Sequence, residues 1–301
     1  MSNTTKQNTP FGRFIPAMVT PFAADGSLNL NRAQELAVDL VKRGSDALII
    51  SGTTGESPTT TYVEKRDLFK AVLEALDGSA PIIANIGDNC TADSVAFAKD
   101  AEQIGVDGLM AVVPYYNKPP QEGLYRHFKA IAESVDIPVI LYNIPGRCVI
   151  NMEAQTTLRL ANDVSNIVAV KEASGKFDQI TEIANNAPEG FVVYSGDDEA
   201  TLPLMSMGGY GVITTIGNLA PERMKEIVES MAAGDRAHAL ACHLKLQPLM
   251  KELFVTANPI MVKAAMCMAG FDVGGTRLPL IEATDSQLAE LRRVMENVGI
   301  L

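Results

Sequence analysis

Eight short apolar runs, rich in β-branched residues, recur along the first two thirds of the chain, and no other feature limits its fold as tightly. They are RFIPAMVT from 13, DALIIS from 46, PIIANI from 81, GLMAVV from 108, PVILYN from 138, NIVAVK from 166, FVVYS from 191 and GVITT from 211. The runs hardly alternate with polar residues, as strands covered on both faces should not. Between them lie segments with apolar residues at helical spacing. LNRAQELAVDLVKRG, TYVEKRDLFKAVLEALDG and TADSVAFAKDAEQIG end at Gly44, Gly78 and Gly105, where glycine suits a helix stop. Thr61 with Glu64, and Thr91 with Ser94, place cap-capable hydroxyls at helix starts. Strand and helix alternating eight times predicts a (β/α)8 TIM barrel of the α/β class. The competitor is an open doubly wound sheet. Its glycine fingerprint is absent from VTPFAADGSLN, the turn after the first strand.

The eighth run ends near residue 215, and the remaining residues read as helices: PERMKEIVESMAAG from 221, DRAHALACHLKLQPLMKELF from 235, PIMVKAAMCMAG from 259 and DSQLAELRRVMENVG from 285. The first completes the barrel and the rest form a C-terminal helical appendix. The expected division is a barrel over 1–233 and a helical domain over 234–301. A chain of 301 residues is long for one barrel, and the appendix accounts for the excess.

Charge narrows the partners. Lys and Arg total 25 against 36 Asp and Glu, a formal net charge of −11, which repels nucleic-acid backbones and anionic membranes. An anionic ligand must therefore be held by local cations and backbone amides. Cys90, Cys148, Cys242 and Cys267 lie far apart with no Cys-x-x-Cys pair, so free thiols in a reducing compartment, and no metal site built on them, are expected. His238 and His243 are five residues apart where a shared helical metal site wants four; they read as surface helix residues. The opening MSNTTKQNTP is polar and reads as a short disordered start, and no run reaches the ~18 apolar residues of a membrane span. The expected location is cytoplasmic.

In a barrel the chemistry is built at the C-terminal ends of the strands. There the sequence offers SGTTGES, PYYNKPP, YNIPGR, KEASGK and SGDDE. Lys171 follows NIVAV directly, so its amine leaves an apolar strand toward the barrel mouth; desolvation disfavours its ammonium form, and such lysines attack carbonyl carbon. The plainer alternative is a lysine that snorkels to water. Tyr142 ends the neighbouring strand and could pass protons, or simply pack. Gly52, Thr53, Thr54, Gly55 and Glu56 form a tight turn whose amides and hydroxyls suit a carboxylate, or whose hydroxyls cap a helix. Arg147 offers a planar fork for a carboxylate, or a surface ion pair. Tyr115 and Tyr116 could be an aromatic turn alone. SGDDE reads as a helix start with acids at its positive end.

Taken in order, GTTGES, PYYNKPPQEGLYRHFKAIAE, LYNIPGR, VAVKEASG and SGDD resemble the class I Schiff-base lyase family typified by dihydrodipicolinate synthase and N-acetylneuraminate lyase, from about residue 12 to the end. The arginine after the Tyr-Asn-x-Pro turn favours the synthase branch, which implies pyruvate and aspartate 4-semialdehyde as substrates and no cofactor. Other pyruvate-dependent aldolases of the family, acting on sugar acids or hydroxy-oxo-acids, are the alternative. The resemblance implies that Lys171 forms the imine with pyruvate and that Tyr142 transfers protons, linked through Thr53 to Tyr116 from a neighbouring subunit. It further implies that Thr54 holds the pyruvate carboxylate near the Ile213 backbone, with Gly55 and Gly196 also at the substrate, and that Arg147 receives the aldehyde's carboxylate. A homotetramer, a dimer of dimers, is the implied assembly. Cys148 and Val149 stand where Thr-Gly is usual, and TTIGN follows Ile213 where Ser and small residues are usual.

Overall fold

The computed structural model describes residues 9–301, so most of the polar opening segment lies outside the described residues. Eight strands form where the apolar runs predicted them: β1 Phe14–Pro16, β2 Leu48–Ile50, β3 Ile82–Asn85, β4 Gly108–Val112, β5 Val139–Asn143, β6 Ile167–Glu172, β7 Val192–Ser195 and β8 Gly211–Thr214. They order as one sheet, β1-β8-β7-β6-β5-β4-β3-β2, the nearly closed sheet of a (β/α)8 barrel with helices between its strands and further helices at the C-terminus. By compactness the chain divides into two units, 9–13 with 81–213 and 14–80 with 214–301.

The first unit carries β3 to β8 and the helices α3 Thr91–Ile104, α4 Gln121–Ala132, α5 Pro145–Cys148, α6 Ala154–Asp163, α7 Phe177–Asn186 and α8 Thr201–Ser206. Its strands pair in parallel. β5 and β6 slip by one residue: Val139 faces Ile167, but Ile140 faces Ala169. That slip sets Tyr142 opposite Lys171 and Asn143 opposite Glu172. Because strand side chains alternate faces, the first pair shares one face and the second pair the other. Helix α3 ends at Gly105 with φ 101°, a left-handed turn that glycine adopts without a Cβ clash. Its start differs from expectation. Cys90 occupies the cap position without a side-chain cap bond, while the Thr91 hydroxyl lies 2.9 Å from His127 Nδ1 and Ser94 Oγ accepts from Asp88 N. His127 is buried there, which drives its pKa down to about 4, so α3 is tied to α4 through a neutral imidazole.

The second unit carries β1, β2, α1 Leu30–Lys42, α2 Tyr62–Leu76, α9 Pro221–Ala232, α10 Arg236–Glu252, α11 Ile260–Met268 and α12 Asp285–Asn297. Ala17, just beyond the end of β1, and Ile49, within β2, form an isolated parallel bridge. Thr61 and Glu64 form the predicted capping box on α2, and a second one, Thr284 with Gln287, starts α12; such caps contribute about 1 kcal/mol each. Arg277 grips Glu64 in a two-pronged contact that takes the carboxyl down to about 2. On α10, His238 is exposed as expected, but His243 is buried: five residues on from His238, it falls on the helix side that carries Ala239 and Leu246 into the core.

Candidate active site

Lys171 is the next-to-last residue of β6, flanked in register by Tyr142 of β5 and Tyr194 of β7. Only 6% of it is exposed. Burial lowers its pKa to about 8; the Asp198 carboxylate pushes it back up, and the Arg147 guanidinium lowers it further. Its ammonium carbon chain is therefore held in a place that favours the free amine, the form that can attack a carbonyl. Nζ lies 4.4 Å from the centre of the Tyr142 ring. Tyr194, its other neighbour in register, turns its hydroxyl away to donate to the Gly12 carbonyl at 2.6 Å.

Two further residues shape the space around this amine. A Cβ on Gly196 would stand 3.1 Å from both Cγ and Cε of Lys171 and 2.8 Å from Ala173 Cβ. Glycine there leaves the lysine its path. The Gly196 amide donates to the Glu172 carbonyl at 2.9 Å, which fixes that close approach. Asp198 was read from sequence as part of a helix start; instead the turn is organised by Asp197, whose carboxylate accepts from the Glu199 and Ala200 amides, and α8 begins only at Thr201. Asp198 itself is buried, at 2% exposure. Its buried charge beside Lys171 has one visible signal in the sequence, an acid two residues past a glycine at a strand end.

Arg147 sits in the single turn α5 and is exposed. The turn closes on Val149, whose φ of 69° is a conformation that β-branched residues rarely hold. Its neighbour Cys148 is buried, which raises the thiol to about 11. Tyr116 is 90% exposed and, with φ 71°, also left-handed. Tyr115 donates to Asp88 at 3.4 Å and Asn117 Nδ2 to the Asn89 carbonyl at 2.8 Å, so the aromatic turn is anchored beside an outward-turned Tyr116. Ile213 is buried within β8.

Behind Lys171 the opposite sheet face is occupied by a polar cluster. Glu172 accepts from Asn143 Nδ2 at 3.1 Å, from Gln179 Nε2 at 3.0 Å and from the Ser174 amide at 2.8 Å. Burial raises its pKa, and these donors oppose the rise. Asn143 also donates to Asn151 Oδ1 and accepts from the Met152 amide, both at 3.0 Å. The amide at the end of the β5 run is thus a brace for the chain beyond Arg147.

Thr53, Thr54 and Gly55 belong to the second unit. Thr54 is buried, accepts from Asn258 Nδ2 at 2.9 Å and lies 3.3 Å from the Thr215 hydroxyl. It caps no helix. Thr53 is partly exposed, and a Cβ on Gly55 would come within 3.1 Å of the Met18 carbonyl and Thr20 Oγ1. The loop is pinned by Glu56, left-handed at φ 55°, whose carboxylate bonds Lys263 Nζ at 2.9 Å and accepts from the Arg277 amide at 2.9 Å. Lys263 also donates to the carbonyls of Thr20 and Gly275. Burial lowers its pKa and Glu56 resists that.

A sequence model of the Dihydrodipicolinate synthetase family matches residues 10–298. The 4-hydroxy-tetrahydrodipicolinate synthase of Moorella thermoacetica is 53% identical over 291 residues, covering 97% of this chain and 99% of the relative; that of Symbiobacterium thermophilum is 50% identical with the same coverage. Among solved structures, DHDPS from Cyanidioschyzon merolae with lysine bound superposes with a TM-score of 0.96 at 44% identity, covering 98% of this chain and all of that one. Dihydrodipicolinate synthase from Thermotoga maritima gives 0.95 at 41% identity, over 97% and 100% of the two chains.

Proposed function

The chain belongs to the dihydrodipicolinate synthetase family, and from that premise we propose that Lys171 is the nucleophile with which it condenses pyruvate and aspartate 4-semialdehyde to 4-hydroxy-tetrahydrodipicolinate. The activity is that of a lyase with class I aldolase chemistry, on the route to diaminopimelate and lysine. The observation that carries the residue assignment is the buried Lys171 amine, lowered to about 8 and set beside the Tyr142 ring.

The free amine adds to the ketone carbon of pyruvate, and loss of one water leaves the imine. Removal of a methyl proton turns the imine into an enamine, whose terminal carbon attacks the aldehyde. The new alkoxide takes a proton, and closure of the ring by the substrate's own amine at the imine carbon releases Lys171. Tyr142, in register with Lys171, is the group assigned to these proton transfers, with Thr53 and Tyr116 completing the relay. Thr54, positioned by Asn258, takes the pyruvate carboxylate together with Gly55 and the backbone at Ile213 and Gly196. Arg147, exposed on its own turn, receives the carboxylate of the aldehyde substrate.

Tyr116 faces outward in one chain, which fits delivery to the site of a second copy, and the assembly is assigned as a homotetramer of two such dimers. The cytoplasm is assigned as its compartment on four free thiols. Among the described residues no helix is long and apolar enough to cross a membrane.

The test is reduction with borohydride in the presence of pyruvate, followed by peptide mapping, beside a condensation assay with a panel of aldehydes. Adduct mass on Lys171, lost in Lys171→Ala, and turnover of aspartate 4-semialdehyde are expected. In Arg147→Ala the pyruvate adduct should persist while the aldehyde step weakens. A wild-type protein that takes no adduct, or an arginine variant that condenses normally, overturns the corresponding assignment.

A further inference from the structure

Away from Lys171, three side chains with metal-ligand chemistry converge on the second unit. His238 and Cys242 stand one turn apart on α10, the i,i+4 spacing that brings two helical side chains together. Glu226 faces them from α9. His238 Nε2 lies 2.8 Å from Glu226 Oε1, and Cys242 Sγ lies 3.4 Å from the same nitrogen. The three ligand atoms lie within 4.8 Å of one another. They line a hollow of about 460 Å³ whose other walls include Arg223, Lys245 and Asn297.

We propose that Glu226, His238 and Cys242 form a binding site for a thiophilic divalent cation of the zinc type, with water in the fourth position. The donor set is one carboxylate oxygen, one imidazole nitrogen and one sulfur. Hard cations such as magnesium and calcium prefer all-oxygen shells, whereas zinc takes sulfur, nitrogen and oxygen together. Tetrahedral zinc, with bonds of about 2.0–2.3 Å, separates its ligand atoms by roughly 3.3–3.7 Å. The Cys242–His238 distance already fits, and the His238–Glu226 pair has to open by about half an ångström, a small step for side chains about half exposed.

The α10 start presets the histidine, since Asp235 caps the helix by accepting from the His238 amide at 3.0 Å. Charged groups facing the sulfur are Glu226 and Arg223 from α9, and Asp235, His238 and Lys245 from α10 and its cap. A thiol must lose its proton to ligate the ion, so the incoming ion displaces that proton and binding tightens as pH rises. With both elements ligating, the ion ties α9 to α10.

Chelator-stripped protein is titrated with cobalt(II), then with zinc in competition. One cobalt per chain is expected, with a thiolate-to-metal band in the near ultraviolet that zinc abolishes. The band should vanish in Cys242→Ser and persist in Cys267→Ser, and His238→Gln or Glu226→Gln should weaken binding at least about tenfold. Zinc should raise the unfolding temperature of the wild type and leave that of Cys242→Ser unmoved. A band that survives in Cys242→Ser, or no saturable band in the wild type, overturns the site.

Discussion

Replacing Lys171 with methionine removes a proton-binding group from the barrel while keeping a long apolar side chain, and the consequence for stability depends on pH in a calculable way. In the folded chain the Lys171 amine falls from a lysine's usual 10.5 to about 8. The unfolded chain restores the higher value. Between the two, the unfolded state binds more protons, so the wild type gains stability as pH rises through about 8 to 10.5. The gap is worth about 3 kcal/mol in all, at 1.36 kcal/mol for each pH unit. At neutral pH that amount is the stability cost of keeping this amine buried.

Methionine does not titrate, so the difference in unfolding free energy between variant and wild type isolates this one group. Measured by urea denaturation at one protein concentration, the variant's stability relative to wild type should fall by about 2 kcal/mol between pH 7 and pH 9.5. Loss of the contact with the Tyr142 ring and of the cation beside Asp198 shifts the whole difference up or down, but does not alter its slope. A difference that stays flat over this range would mean that Lys171 titrates as an exposed lysine does. The reasoning from burial to nucleophile would then be wrong, whatever the enzyme's activity.

Gly196→Ala puts a methyl 3.1 Å from two carbons of Lys171; adduct formation with pyruvate should slow at least tenfold, about 1.4 kcal/mol in the barrier, while the fold survives by circular dichroism, and an unchanged adduct rate would show that the lysine does not run past that glycine. Val149→Gly relieves a left-handed β-branched residue, so stability should hold or rise by up to about 1 kcal/mol after glycine's own entropy is set against the strain; a clear loss on thermal unfolding would contradict the strain. Lys263→Met leaves Glu56 buried without its cation and should cost about 3–5 kcal/mol, of which the added change Glu56→Gln should restore a part; an additive double mutant would mean that the pair is not coupled. Mixing inactive Lys171→Ala with weakened Tyr116→Phe, then exchanging subunits, should regenerate activity above either parent, because one hybrid site holds both the lysine and the partner's tyrosine; no recovery after proven exchange would place Tyr116 outside the relay.

The strands were legible because burial on both faces writes unbroken apolar runs, and a polar residue at the end of such a run stands out. Lys171, Tyr142 and Arg147 were visible for that reason. Asp198 was not, since an acidic pair after a glycine reads as a helix start and nothing local says which acid turns inward. His243 and the Thr91 hydroxyl misled in the same manner: helix phase and a partner on another helix decided their surroundings. The His238–Cys242 pair carries no signal in a spacing measured between the histidines alone.

Glu172 is the sharper case, being adjacent to Lys171 in sequence and on the opposite face in space. Read along the chain, Lys-Glu at a strand end suggests two charges heading for water. The register slip at Val139 and Ile140 instead sends the lysine to the Tyr142 face and the glutamate to the Asn143 face, where the four donor groups from Asn143, Gln179, Ser174 and the Gly196 amide secure its side chain and carbonyl. A strand end clamped from behind can hold an amine in an unfavourable, reactive place without swinging it out to solvent. The same asparagine that clamps Glu172 also holds the chain at Asn151 and Met152, just beyond Arg147. One polar cluster therefore fixes the bases of both Lys171 and Arg147, and its members are separated by up to about fifty residues of sequence, too far for any local pattern to reveal.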